Sequence, residues 1–459
     1  MENKIISTNP GKGYQEVGST AISSGEEIRK AVELARKAFP AWKNLSVKER
    51  GMYFEKLIPI FEKGSSEIAR MQTREMGKPI LKSRGEVKGR IEYIKQNIKL
   101  AEKMLEPDVV DESDTQKTTV YFEPFGVVAS ITPWNYPTST FFISVTQALL
   151  AGNTVVAKGS EECPLTSNLI IKLFEKAGFP EGVIQMVYGN GSVGEFLTDQ
   201  DVNLIHFTGS SKVGQSIYEK AAKKFIPVVL EMGGSSPGIV FNDVSVGNIC
   251  PIVCDERFNN TGQICCALKR LFVHKDIFDD FVAKVVAEVK SYVVGDPEDE
   301  KTTMGPLVAE RQLVVLESQV KDAVDKGAKI LTGGKKPAGL NGAYYEPTVI
   351  VGVTKDMKVY REEVFGPVLP IMPFKTEEEA LKLANDTPYG LSAFVYSSDQ
   401  GRAKRVAKEI IAGNVSINGA DYFTDNAPFG GYKKSGMGSA DGKYGYRYVT
   451  KMKTVSEKK

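Results

Sequence analysis

Apolar residues keep helical spacing over most of the first hundred positions and then give way to short apolar runs, so the chain changes period near residue 110. Ser24-Gly25-Glu26-Glu27 is a capping-box signature, and Ile28, Val32, Ala35 and Phe39 follow it at helical intervals. Ser46-Val47-Lys48-Glu49 repeats the device. The pattern predicts a helix from there to about residue 63, stopped at Gly64, a third ending at Gly77, and a long one after Pro79. Between about 110 and 123 a polar acidic turn leads into Thr118-Thr119-Val120-Tyr121-Phe122, whose β-branched and aromatic content reads as a strand. Residues 446–455 read as another. Two strands so far apart do not make a stable sheet alone, so they are expected to pair with each other and with another subunit.

From 127 to 231 apolar runs at 127–131, 154–157, 184–188, 203–207 and 226–230 alternate with helical patterns. That alternation is the mark of a parallel, doubly wound sheet, which binds nucleotides at the carboxyl ends of its strands. Gly189-Asn190-Gly191-Ser192-Val193-Gly194 is a literal G-x-G-x-x-G, but a lone match is weak and is read here as a turn. A second α/β region runs from 233 to about 430, with helices near 276–291 and 307–326.

Composition narrows the class. The chain has 459 residues, long for one core, with 42% apolar and 25% charged residues, ordinary for a soluble globular protein. Its 59 basic and 57 acidic residues are interspersed, so nucleic acid is not an expected partner. The first seven residues hold no apolar leader core, and the longest apolar stretch, around 141–151, is too short and polar to span a bilayer. A cytoplasmic protein without membrane contact is expected. Five cysteines, two of them adjacent, suggest neither a disulfide framework nor a zinc ribbon. With His206 and His274 the only histidines, no metal site is expected.

One cysteine stands out. Cys265 follows Asn260-Thr261-Gly262, a turn signal able to present a thiol to a cleft, whereas a buried structural cysteine is the plainer alternative. Asn260-Thr261-Gly262-Gln263-Ile264-Cys265 resembles the active-site signature of the aldehyde dehydrogenases. Four further strings resemble motifs of that family, in the family's order: Pro133-Trp134-Asn135-Tyr136-Pro137, Val229-Leu230-Glu231-Met232-Gly233-Gly234, Glu362-Glu363-Val364-Phe365-Gly366-Pro367, and the segment from Pro428 to Gly436. Thr73-Arg74-Glu75-Met76-Gly77-Lys78-Pro79 and the short N-terminus look most like the succinate-semialdehyde branch.

The resemblance implies an α/β fold with a doubly wound, Rossmann-like cofactor domain (1–109 and 127–232), an α/β catalytic domain (233–445) and small oligomerisation strands (110–126 and 446–459) serving a homodimer or homotetramer. It implies Cys265 as nucleophile, Asn135 as oxyanion donor and Glu231 as the base for thioester hydrolysis. Trp134, Glu363 and Phe365 would contact the nicotinamide end of the cofactor, and Ser210, at a helix start, its pyrophosphate. Lys158 and Glu161 can meet the adenosine ribose, and a carboxylate there repels a 2′-phosphate, favouring NAD while NADP stays open. Gly159 replaces the family's usual proline, and Ser439-Ala440 its usual Arg-Glu.

The expected reaction is oxidation of a small aldehyde to its acid, with succinate semialdehyde the best guess. A broad aliphatic aldehyde dehydrogenase, a CoA-acylating semialdehyde dehydrogenase, a Cys265–His206 hydrolase and a non-enzymatic use of the scaffold are the alternatives. Asn259 and Ile143 stand where the semialdehyde branch commonly has arginines, which leaves Arg257 as the nearest cation for a substrate carboxylate.

Overall fold

The computed structural model describes residues 4–459 apart from Phe423 and Asp425; residues 1–3 of the start, read above as free of a leader, lie outside the described residues. It begins with an antiparallel hairpin of β1 (Lys4–Asn9) and β2 (Gln15–Ala21), ahead of the first helix the sequence predicted. The signal was present in Ile5, Ile6 and Thr8 ahead of Pro10-Gly11, a β-branched run before a turn.

Both capping boxes form. Ser24 and Glu27 open α1 (Gly25–Asn44), and Ser46 and Glu49 open α2 (Val47–Met76). The expected stop at Gly64 is absent, because α2 continues through it to Gly77. Phe54, Leu57, Phe61, Ile68, Ala69 and Met76 keep one buried face in register across Gly64. That packing outweighs the roughly 1 kcal/mol a mid-helix glycine costs. After Pro79 comes α3 (Ile80–Met104).

A three-stranded antiparallel sheet follows, in which β3 (Asp108–Glu112) pairs with β4 (Gln116–Pro124). The acidic segment expected to be only a turn is thus partly strand. Next come five parallel strands, β5 (Val127–Ile131), β6 (Thr154–Lys158), β7 (Ile184–Val187), β8 (Leu204–Thr208) and β9 (Val228–Glu231), ordered β9-β8-β5-β6-β7. Alternate residues feed opposite cores: Val128, Val155, Leu204 and Val229 face one, Ala129, Val156, Ile205 and Leu230 the other. Both faces are therefore covered, as a doubly wound sheet requires. The order reverses between β5 and β8, and at such a switch point the strand ends splay into a crevice.

The second sheet is also mostly parallel. β10 (Ser236–Val240), β11 (Leu268–His274), β12 (Lys329–Thr332), β13 (Thr348–Val351), β14 (Val368–Phe374), β15 (Ser392–Tyr396) and β16 (Asn414–Ile417) run in the order β12-β13-β14-β11-β10-β15-β16, with only β12 antiparallel. A two-residue strand, β17 (Gly436–Met437), returns to the first sheet beside β9, and β18 (Thr450–Lys458) pairs antiparallel with β4. The predicted C-terminal strand starts late, since residues up to Tyr448 are helical. Tyr446 is buried there, its hydroxyl donating to the Asn97 carbonyl over 3.0 Å. Among the described residues no helix is long and apolar enough to cross a membrane.

The Thr73–Pro79 string is a structural fastener. Glu75, buried, accepts from Ser7 Oγ, from the Leu165 and Thr166 amides and from Thr166 Oγ1, tying the N-terminal hairpin and α2 to the start of the helix Pro164–Lys176. Burial pushes its carboxyl up to about 7, and the four donors oppose this. Lys78, also buried, pairs with Glu86, and Glu86 accepts from the Ser139 amide over 2.9 Å, capping the helix Pro137–Leu150, which has no cap of its own. The turn between α2 and α3 depends on Gly77, whose φ is 79° and whose added Cβ would lie 2.5 Å from Pro306 Cγ. Gly77→Ala is expected to destabilise the fold by about 1–3 kcal/mol through left-handed strain and this collision. A thermal unfolding midpoint equal to that of the parent would contradict it.

Candidate active site

The position of Cys265 comes from a strained turn. The helix Val246–Phe258 ends in a turn over Asn259–Gly262, and Asn260 (φ 50°), Thr261 (φ 57°) and Gly262 (φ 72°) are all left-handed. For a β-branched threonine this costs about 1–2 kcal/mol, so the surroundings must impose it. They do so with side chains of the same string. Asn260 Nδ2 donates to the Asn135 carbonyl over 3.1 Å, Thr261 Oγ1 to the Gly305 carbonyl over 3.1 Å, and Gln263 Oε1 accepts from the Val308 amide over 3.0 Å. Gly262 has no room for a Cβ, which would fall 2.3 Å from the Gly366 carbonyl oxygen. Cys265 emerges partly exposed, whereas the other four cysteines are buried. Its hydrogen bond with Cys266 and its burial push the thiol above the ordinary cysteine range, and the Lys269 ammonium pulls it back.

Asn135 is beside this turn. It lies in the loop after β5, buried, and its side-chain N–H donates to the Gln263 carbonyl over 2.9 Å. An amide carries two N–H donors, so one remains for an oxyanion near Cys265. Glu231 ends β9, and burial followed by the charge of Cys265 raises its pKa well above the usual carboxylate value. Its Oε1 accepts from the Ala440 amide over 3.3 Å, and its Oε2 has no hydrogen-bond partner. The segment that departs from the family pattern therefore reaches Glu231 through its backbone. Upstream of it, Gly436 pairs with Glu231 across β17 and β9, and Ser435 Oγ donates to the Gly233 carbonyl over 2.7 Å.

The residues assigned to a dinucleotide line the same strand ends. Lys158 closes β6, buried, with Nζ 3.6 Å from the half-exposed Glu161 and 3.1 Å from the Gly159 carbonyl. Gly159 is not merely a looser proline site. A Cβ there would collide with Ser167 Oγ at 2.2 Å, and the loop is closed by the Cys163 amide bonding to the Ser160 carbonyl. Ser210 caps the helix Ser211–Lys223 at the end of β8, giving an anion site beside the switch point. Trp134 and Phe365 meet edge to face, with ring centroids 5.5 Å apart. Glu363 accepts from the Gly234 amide over 3.1 Å, and Gly233 has no space for a Cβ, which would lie 2.2 Å from the Glu363 carboxylate. The Glu161 and Glu363 carboxylates, a capped helix start, an aromatic pair and a glycine-lined approach make a donor set that fits a dinucleotide. In Gly189–Gly194, Asn190 caps its own helix, as a turn residue does.

Two possibilities left open by the sequence find no support in the structure. Arg257 is buried and donates to the carbonyls of Val364, Gly366 and Val368, clamping the Glu363 loop, so it offers no cation to a substrate. His206 sits mid-strand between Ser130 and Val229, its pKa lowered by burial to about 4 and its Nδ1 unpartnered, so the Cys265–His206 pair does not form. Three functional contacts were not anticipated, those of Gln263, Ala440 and Lys269. Only Lys269 left a trace in the sequence, a charge beside Arg270 in the otherwise apolar run 267–273. Among the described residues no group of three or more His, Cys, Asp or Glu side chains is placed to hold a metal ion.

Known proteins share this sequence pattern and this fold. The model of the aldehyde dehydrogenase family matches residues 1–455. A glutarate-semialdehyde dehydrogenase of Pseudomonas putida is 35% identical over 440 residues, 95% of this chain and 91% of the relative. The NADP(+) succinate-semialdehyde dehydrogenase of Escherichia coli is 34% identical over 440 residues, again 95% and 91%. A crystal structure of betaine aldehyde dehydrogenase from Staphylococcus aureus in complex with NAD+ superposes with a TM-score of 0.95 at 33% identity, covering 99% of this chain and 91% of that one. With the family model spanning the chain and the fold shared throughout, this protein belongs to the aldehyde dehydrogenase family.

Proposed function

We propose that the chain oxidises an aldehyde to the free carboxylic acid with NAD, or NADP, as hydride acceptor. The observation that carries the reading is the juxtaposition of a partly exposed Cys265, the Asn135 amide and a buried Glu231 with one bare carboxylate oxygen. Cys265 Sγ adds to the carbonyl carbon, and the resulting oxyanion is held by the Asn135 side-chain N–H and the Cys265 amide. Glu363 and the Trp134–Phe365 pair would hold the nicotinamide end of the cofactor, which when bound would supply the hydride acceptor. The thioester left on Cys265 is attacked by water whose proton passes to Glu231, releasing the acid and the thiolate. Glu231 is what separates this hydrolytic outcome from transfer to CoA. Two relatives named above support both cofactors, one crystallised with NAD+ and one named for NADP(+), while the Glu161 carboxylate favours NAD. Exposed Val109, Val110 and Met452 on the β3-β4-β18 sheet support self-association through that sheet.

For the substrate, the semialdehyde class named by the Thr73–Pro79 string and by two relatives remains the first candidate, without charge-assisted selection. Arg257 is fully buried with its Nε and Nη2 on backbone carbonyls, Ile143 packs on the core, and Asn259 is uncharged. Cys266 lies within the field of Glu256, whose own pKa burial and the neighbouring Asp255 and Asp421 raise to about 7. A second carboxylate gains no partner from that set. Succinate semialdehyde is therefore expected to exceed butanal in kcat/KM by at most about tenfold, and Asn259→Arg to widen the margin. A hundredfold preference in the parent would overturn this.

The assigned roles give two kinetic expectations. Cys265→Ala abolishes turnover and Cys266→Ala does not, while Glu231→Gln still releases one NADH per site in a burst and then slows in steady state by about 10²–10⁴-fold. Loss of the burst in Glu231→Gln would place that residue before hydride transfer. Because burial raises the Glu231 carboxyl, the base form grows with pH. Single-turnover thioester hydrolysis should rise about tenfold per pH unit from pH 5 until that group is ionised, and stay flat in Glu231→Gln. A pH-independent rate in the parent would contradict the base assignment.

A further inference from the structure

Lys269 lies on β11, four residues beyond the nucleophile, with no exposed side-chain surface. Its ammonium donates to the Gly234 carbonyl over 2.8 Å, to the Cys265 carbonyl over 2.9 Å and to the Glu363 carboxylate. The three donors of the group are thus used in three directions. One leads to the glycine turn that follows Glu231, one to the nucleophile's own backbone, and one to the carboxylate read for the nicotinamide ribose. Nζ also stands 5.3 Å from the Phe365 ring centre. A lysine without solvent is costly to bury, and a methionine would fill such a site with less desolvation, so packing alone gives no reason for a cation here.

We propose that Lys269 is a positioning residue that couples the cofactor site to the nucleophile, fixing the Glu363 carboxylate toward the ribose while holding the Cys265 backbone in its elbow. The inference rests on the cofactor reading given above. Gly234 reinforces the arrangement, because its amide donates to the same carboxylate that Lys269 holds, so both partners of Glu363 come from the strand ends flanking Cys265. Removing the ammonium leaves a carboxylate with one hydrogen bond and frees it to swing. It also removes a positive charge near Cys265, where Cys266, Glu231, Glu363 and the Tyr136 hydroxyl are the other ionisable neighbours among the described residues.

The test is a double-mutant cycle on cofactor binding, read by calorimetry without substrate. Lys269→Met is expected to weaken NAD binding by about 10–100-fold, and Glu363→Gln by a similar factor, with the double variant little worse than either single one. Iodoacetamide should alkylate Cys265 about tenfold more slowly in Lys269→Met at neutral pH. If Lys269→Met does not fold, Lys269→Gln, which keeps donors for the two carbonyls but no charge, supplies the same readings. Unchanged NAD affinity, or effects of the two substitutions that simply add, overturns the coupling. A parent protein that binds neither NAD nor NADP overturns the cofactor reading itself.

Discussion

Everything at the reactive centre depends on holding Asn260, Thr261 and Gly262 in a conformation that two of them resist. The resistance is met by hydrogen bonds whose partners come from elsewhere in the fold: the loop after β5 and the segment 305–308. Neither sheet builds the elbow alone. Cys265 is presented where the carboxyl end of β5 meets the second sheet, and the same bonds that impose the strain place Asn135 beside it. A turn relaxed to ordinary backbone angles would return the thiol to the kind of burial its four counterparts have.

Electrostatics then divide the site between two buried ionisable groups, one acidic and one basic. Desolvation raises the pKa of Glu231, which has one oxygen tied to a backbone amide and the other bare. Lys269 is fully bonded and holds a carboxylate, so its charge is compensated. A raised carboxyl pKa lowers the cost of placing Glu231 near the Cys265 sulfur, whose charge is among the causes of that shift. The two groups are joined through a single short stretch, Glu231 to Gly234. β17 and Ser435 fasten that stretch from outside.

How much of this was legible depended on whether a feature was local. The capping boxes at Ser24 and Ser46, the parallel strands from Val127 to Glu231 and the stop at Gly77 are written in short windows, and each formed. Gly64 misled because its context is the buried face of α2 against other helices, which no local rule records. The hairpin from Lys4 to Ala21 was overlooked although its turn signal was plain. Cys265, Asn135 and Glu231 were singled out from motifs, but the reason Arg257 cannot serve a substrate lies in carbonyls more than 100 positions away. Ala440 illustrates the same limit: its side chain departs from the family pattern, yet the part of it that touches Glu231 is backbone and would be supplied by any residue held there.

The central claim is that a thioester forms on Cys265 and that Glu231 is needed to remove it. Intact-protein and peptide mass spectrometry of Glu231→Gln, quenched in acid after mixing with NAD and a simple aldehyde, tests it directly. The account predicts a mass increase of one acyl group less one hydrogen per chain, mapped to Cys265 and absent when NAD is omitted. No acyl adduct, or one carried by Cys266, would contradict it.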